Sequence, residues 1–258
     1  MLRTALTRSA DVDGQGFRIR SRDVSRLEGL SDAVFGFAIT LLVVSLEVPK
    51  TFDDLAHSMR GFVAFGACFA MLIMIWHQHY TFFRRYALED FRIIVLNAML
   101  LFVVVFYIYP LKFMFTAVIG NLLRLGDPAT RIPLRWQDGP MLMTIYSVSI
   151  VAVFGLIAAM YLHAYRKRRD LGLSAFEVAR TRMRLYSHAI WIALAVLSIL
   201  IANIGGPRWV AIAGCVYALL GPAQWMNGVL MGRRAEAARD RDAMRGHEAD
   251  VERETALA

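Results

Sequence analysis

Arg26, Ser31 and Asp32 open a long apolar stretch that keeps a hydroxyl at mid-depth, Thr40. Trp76, His77, Gln78 and His79 close the next apolar stretch, and Asn97 stands near the start of the third. The chemistry open to this set is hydrogen bonding between helices, because an unmet polar group at a membrane boundary is expensive. Arg26 and Asp32 are six residues apart, about 120° around a helix, so they pair poorly within one helix and call for partners on others. Trp76, His77, Gln78, His79 and Asn97 are the candidate partners of Arg26 and Asp32 in one shared network. A plainer reading has Ser31 and Asp32 cap a helix N-terminus. His77 and His79, two apart, fall on different helix faces and suit a structural role better than a shared metal.

Phe37, Thr40, Leu41 and Val44 recur at i, i+3, i+4 and i+7 and share one side of a helix. Such a stripe serves either helix packing or the wall of a pore. The Thr40 hydroxyl can meet a ligand or bond back to the carbonyl four residues earlier. Gly36, Ala33 and Ala38 allow close helix approach on neighbouring faces.

The elements that position these residues follow from composition. Of 258 residues, 57% are hydrophobic and only 19% charged, which points to an all-α membrane protein. Six stretches reach the roughly 20 apolar residues that a hydrocarbon core of about 30 Å requires: 30–48, 61–79, 91–116, 140–165, 185–204 and 209–231. Pro110 lies near one end of the third, where its missing N–H costs least. The chain carries 29 lysines and arginines, and only Lys50, Arg60, Lys112, Arg124, Arg131, Arg135 and Arg208 fall in the loops of one side. The positive-inside rule then places both termini in the cytoplasm, as an even number of spans requires. The expected organisation is a cytoplasmic segment over 1–25, a six-helix membrane domain over 26–231 and a charged cytoplasmic tail over 232–258, either a solvated helix or disordered.

The net charge of +8 is mostly topology and contact with membrane lipids, which disfavours nucleic acid as a partner. Cys68 and Cys215 lie in apolar runs and read as buried hydrophobes. The first 25 residues lack the apolar core of a secretory signal. Gly126, Asp127, Pro128 and Pro133 mark the longest external loop, 117–139. No Gly-rich phosphate loop or nucleophile elbow points to an enzyme, and no cofactor is implied. A secondary transporter of a small or uncharged solute is the alternative. No Asp, Glu, Lys or Arg stands near the centre of a span, and no repeat relates the two halves, so a channel is favoured. His163 and His188 lie near the cytoplasmic ends of spans four and five, where a histidine could titrate near neutral pH.

Arg26–Leu27–Glu28–Gly29–Leu30–Ser31–Asp32 resembles the R-x-x-x-F-S-D signature of the transmembrane protein 175 family, the noncanonical potassium channels of lysosomes and bacteria. Residues 33–42 are similar to that family's continuation. Trp76 and His79 resemble its W-x-x-H element, and Asn97 and Pro110 stand where its third helix carries Asn and Pro. The resemblance implies a homotetramer in the bacterial plasma membrane, passing K+ along a pore lined by the first helix, with no P-loop filter. It implies Phe37, Leu41 and Val44 as the hydrophobic gate, Thr40 as the hydroxyl layer of potassium preference, and Arg26, Ser31, Asp32, Trp76, His79 and Asn97 as the network holding the pore helix. Apart from transient K+, it implies no metal. Leu30 and Phe37 depart from the family's Phe and its Ile or Leu.

Overall fold

The computed structural model describes residues 12–21, 23–44, 49–122 and 135–257. Among these the protein is all-helical apart from an isolated antiparallel bridge, Val12 to Arg18. The end of the first apolar stretch (45–48), the loop signals Gly126, Asp127, Pro128 and Pro133, and the arginines at 3, 8, 22, 124 and 131 lie outside the described residues.

The order is α1 (Arg26–Val44), α2 (Phe52–Arg60), α3 (Phe62–Tyr86), α4 (Phe91–Leu122), α5 (Gly139–Arg166), α6 (Ala175–Gly205), α7 (Val210–Cys215) and α8 (Leu220–Leu257). Short 3-10 turns stand at Gly206–Trp209 and Val216–Leu219. Five helical runs are long and apolar enough to cross a membrane. The last, Ala175–Asp242, spans 68 residues of successive α and 3-10 turns and folds back on itself. Ser198 on α6 donates to the Ala213 carbonyl at 3.0 Å, and Ser187 donates to Gln224 on α8 at 2.9 Å. The bend needs glycine twice. Gly206 holds φ +64°, and a Cβ on Gly205 would lie 2.3 Å from the Trp209 ring. The fifth and sixth stretches are thus the two legs of this run, and the second leg reaches α8 through mixed 3-10 and α turns.

Three expectations change at the helix ends. α1 begins at Arg26, and the Ser25 hydroxyl accepts the Glu28 N–H at 3.2 Å. Ser25 is therefore the cap, and Ser31 and Asp32 sit inside the helix, where their side chains are free to reach other helices. α4 continues to Leu122, so Pro110 is interior. α3 runs past His79 to Tyr86, where Ala87 at φ +48° ends it and Arg84 and Arg85 face the negative end of the helix dipole.

α1 packs against α3 and α4, and α5 against α4 and α6. The core runs through Phe35, Ala38, Leu42, Leu72, Leu100, Val104, Ile108 and Ile157. At the basic end it becomes aromatic, with Phe82, Phe83, Tyr86 and Tyr161 in ring contacts of 5.1–5.7 Å. α8 continues without a break through Gly232, and Ala235 and Ala238 are buried. The tail is helical because this side of it packs on α6, where Asp242 accepts the Phe176 N–H at 3.0 Å.

Candidate functional site

α1 has two unlike faces. Ser31, Phe35, Ala38 and Leu42, at i, i+4, i+7 and i+11, are all buried at 2% exposure or less. The opposite side, Gly29, Ala33, Gly36, Phe37, Thr40 and Val44, is uncovered, with Phe37 57% and Val44 71% exposed. Leu41 sits between the faces, half-buried against the core. Leu30, where the family signature has Phe, is exposed.

The buried face is held by a directional chain of hydrogen bonds. Asn97 Oδ1 can only accept, so His79 presents its Nε2–H to it at 2.7 Å. Asn97 Nδ2 donates to Ser31 Oγ at 2.9 Å, and Ser31 Oγ donates to the Leu27 carbonyl at 2.8 Å. Ser31 and Asn97 are fully buried and His79 nearly so. Helices in a membrane gain little from apolar burial against one another, so packing and such interhelical bonds set which face of α1 turns inward. The His79 ring is fixed between Phe35 (5.7 Å) and Phe83 (4.7 Å). At the rim, Trp76 Nε1–H donates to Asp32 at 2.8 Å while its ring stacks on Tyr80 at 5.5 Å. Asp32 therefore ties α1 to α3 from the exposed side. Arg26 is exposed and joins neither set of bonds. His77 is exposed on another face of α3 from His79. Among the described residues no three His, Cys, Asp or Glu side chains converge as a metal site.

Thr40 Oγ1 donates to the Gly36 carbonyl at 3.0 Å. Back-bonding uses the hydroxyl proton and leaves the oxygen of this exposed residue able to accept.

The sequence reading missed what lies at the basic end. Residues 12–21 form a strap across α3 and α6. Phe17 is fully buried against Tyr86 (5.5 Å) beneath the Arg85 guanidinium (4.8 Å). Arg85 donates to Asp13 at 2.6 Å and to Gln15 at 2.8 Å. Arg20 holds Glu177 with two bonds, 3.0 and 2.7 Å, while Glu177 also completes a capping box with Ser174. Burial pushes the Asp13 carboxyl up, but the Phe17 N–H, Arg85 and the Gln15 N–H outweigh it and hold the group below its usual range. The available signal was one phenylalanine behind a D-G-Q-G turn in an otherwise polar segment.

A second cluster joins the α3–α4 loop to the end of α5. Asp90 accepts from His163 and Lys167, each at 2.6 Å, and from the Ile93 N–H at 3.1 Å. Burial alone would raise this carboxyl; the bonds from Lys167 and His163 prevail and hold it at about 2. His188, also singled out by sequence, is buried beside Tyr161 and Phe154, and neither ring nitrogen has a partner among the described residues.

Long apolar helices joined by buried side-chain bonds define a multi-pass membrane protein. Residues 26–107 match the family model described as the endosomal/lysosomal potassium channel TMEM175. A relative from Marivirga tractuosa, described as a potassium channel, is 34% identical over 85% of this chain and 92% of its own. A potassium channel from Streptomyces collinus is 28% identical over 62% of this chain and 74% of its own. The crystal structure of a variant of the potassium channel MtTMEM175, in complex with a nanobody–MBP fusion, superposes with a TM-score of 0.76 at 33% identity. That match covers 86% of this chain and all of the other. The chain belongs to the TMEM175 family.

Proposed function

We propose that this protein is a potassium channel subunit that assembles as a homotetramer, with α1 of each copy lining a shared pore and both termini in the cytoplasm. The observation that carries the reading is the asymmetry of α1. One face is bonded into the subunit through Ser31 and Asn97, and the other leaves Gly36, Phe37, Thr40 and Val44 uncovered. The relatives' description as potassium channels supports the same reading.

Phe37, flanked by Leu41 and Val44, forms an apolar ring that excludes water in the closed state. A small movement of α1 widens and wets the path. The Thr40 oxygens then replace part of the hydration shell of K+. A single hydroxyl layer offers few ligands, so the preference over Na+ is modest. Ser31, Asp32, Trp76, His79 and Asn97 keep the pore helix in register, and Arg26, which the family resemblance places with them, stands outside these bonds. No P-loop filter takes part, and transport is passive.

The test is flux through purified protein in liposomes. Potassium should cross down its gradient, without saturating counterflow and faster than sodium. Saturable exchange of a labelled solute, with no ion flux, would move the protein to the transporter class.

A further inference from the structure

We propose that the outer face of α5 and α6 binds one anionic phospholipid, with its phosphate at Arg182, Arg234 and Arg241 and an acyl chain in the groove over Gly155 and Ala159.

Two concavities meet at Tyr186, which lines both. The first is an apolar groove of about 460 Å³, where Gly155, Ala159 and Leu162 of α5 face Ala189 and Ile192 of α6. Small residues four apart on α5 leave a trough where larger side chains would fill the surface. The second is a cleft of about 300 Å³ between the basic ends of α6 and α8. Its charged lining among the described residues is Arg182, Arg234 and Arg241, all exposed. Their recorded hydrogen bonds go to neutral acceptors: the Tyr165 hydroxyl, Met231 sulfur and the Ala237 carbonyl. Among the described residues no acidic side chain lines the cleft.

The dimensions suit one lipid leaflet. Arg182 to Ile192 is ten residues of helix, about 15 Å, half of a hydrocarbon core of about 30 Å. The arginines thus stand at the headgroup level while the groove ends near mid-membrane. Basic pockets beside transmembrane helices recognise acidic headgroups in this way. A second copy of the chain docked in the same groove would bring its own basic end against these arginines.

Native mass spectrometry of the detergent-purified full chain, with added phosphatidylglycerol or phosphatidylcholine, tests this. The protein should retain phosphatidylglycerol at least about tenfold more strongly. Arg234→Gln with Arg241→Gln, both at exposed positions, should remove that preference while the circular dichroism and oligomer mass stay unchanged. Ala159→Phe, which fills the groove, should lower retention of both lipids. Glycerol phosphate at the lipid's own concentration should fail to displace the lipid. Equal retention of the two lipids, full phosphatidylglycerol binding by the double variant, or displacement by glycerol phosphate at the lipid's own concentration would overturn the proposal. So would a fall in oligomer mass with Ala159→Phe, which would make the groove a seam between subunits.

Discussion

Asn97 on α4 donates to the Ser31 hydroxyl on α1 at 2.9 Å, and both side chains are fully buried. The bond decides which way α1 faces. With Ser31 turned inward, the helical repeat also turns Phe35, Ala38 and Leu42 inward, and Phe37, Thr40 and Val44 outward.

Asn97→Leu removes the acceptor of His79 and the donor to Ser31 together. Leaving the buried His79 N–H without a partner should cost about 1–3 kcal/mol. Ser31→Ala leaves the buried Asn97 N–H without its acceptor and should fall in the same range, about 1–3 kcal/mol. Thermal unfolding of the detergent-solubilised protein reads both losses. A midpoint for Asn97→Leu equal to the parent's would detach the network from α1's placement.

Phe17→Ala empties a fully buried site under Arg85. Phe-to-Ala losses in a core run at about 3–5 kcal/mol. Here the strap should release locally, while the membrane helices stay folded. Arg18 and Arg20 should become trypsin-sensitive, with an unchanged helical signal. Resistance equal to the parent's would show that the strap does not depend on its aromatic anchor.

The Asp90 cluster has a sign that can be checked. Its folded value, about 2, lies below the ordinary 3.8, so its contribution to stability is fully present above 3.8 and is lost as pH falls through about 2. The midpoint difference between the parent and Asp90→Asn should therefore hold steady from neutral pH down to the ordinary value and shrink below it. Asp90 is partly exposed, so the effect should be modest and weaken with salt. A difference that grows on acidification would contradict the assignment.

Phe37→Ala should raise resting potassium leak through liposomes, because the apolar ring it shortens is what keeps the closed path dry. Thr40→Val keeps the shape and removes the oxygen. It should lower the potassium-to-sodium permeability ratio by up to about tenfold, equivalent to ~1.4 kcal/mol. An unchanged ratio would take Thr40 out of the ion path.

The apolar runs were legible in the sequence because membrane length and charge-bounded ends are local properties. Asp32, Trp76, His79 and Asn97 were legible as polar groups at one depth that needed partners, and Ser31 through the family resemblance. Arg26 and His77, expected beside them, are exposed and stay outside, and the direction of each bond came only from geometry. The helix ends were less visible. Ser25 caps α1 while Ser31 reaches across to α4, and the two serines differ in nothing that composition records. The strap escaped because its contacts, Asp13 to Arg85 and Arg20 to Glu177, join residues far apart in the chain. The return of α6 into α8 turns on Gly205 and Gly206, whose need for glycine lies in a contact with Trp209 and a positive φ that periodicity does not reveal.

The central claim, that the uncovered face of α1 borders the ion path, is tested most directly by placing a thiol on it. Thr40→Cys, reconstituted in liposomes, should lose potassium flux on treatment with a charged, membrane-impermeant methanethiosulfonate. Cys68 is buried as expected, whereas Cys215 is exposed at the end of α7, a short helix that packs on α5 and α6 and leaves one side open. The parent chain, with no thiol on α1, should keep its flux. A Thr40→Cys protein that conducts potassium and is untouched by the reagent would contradict the account.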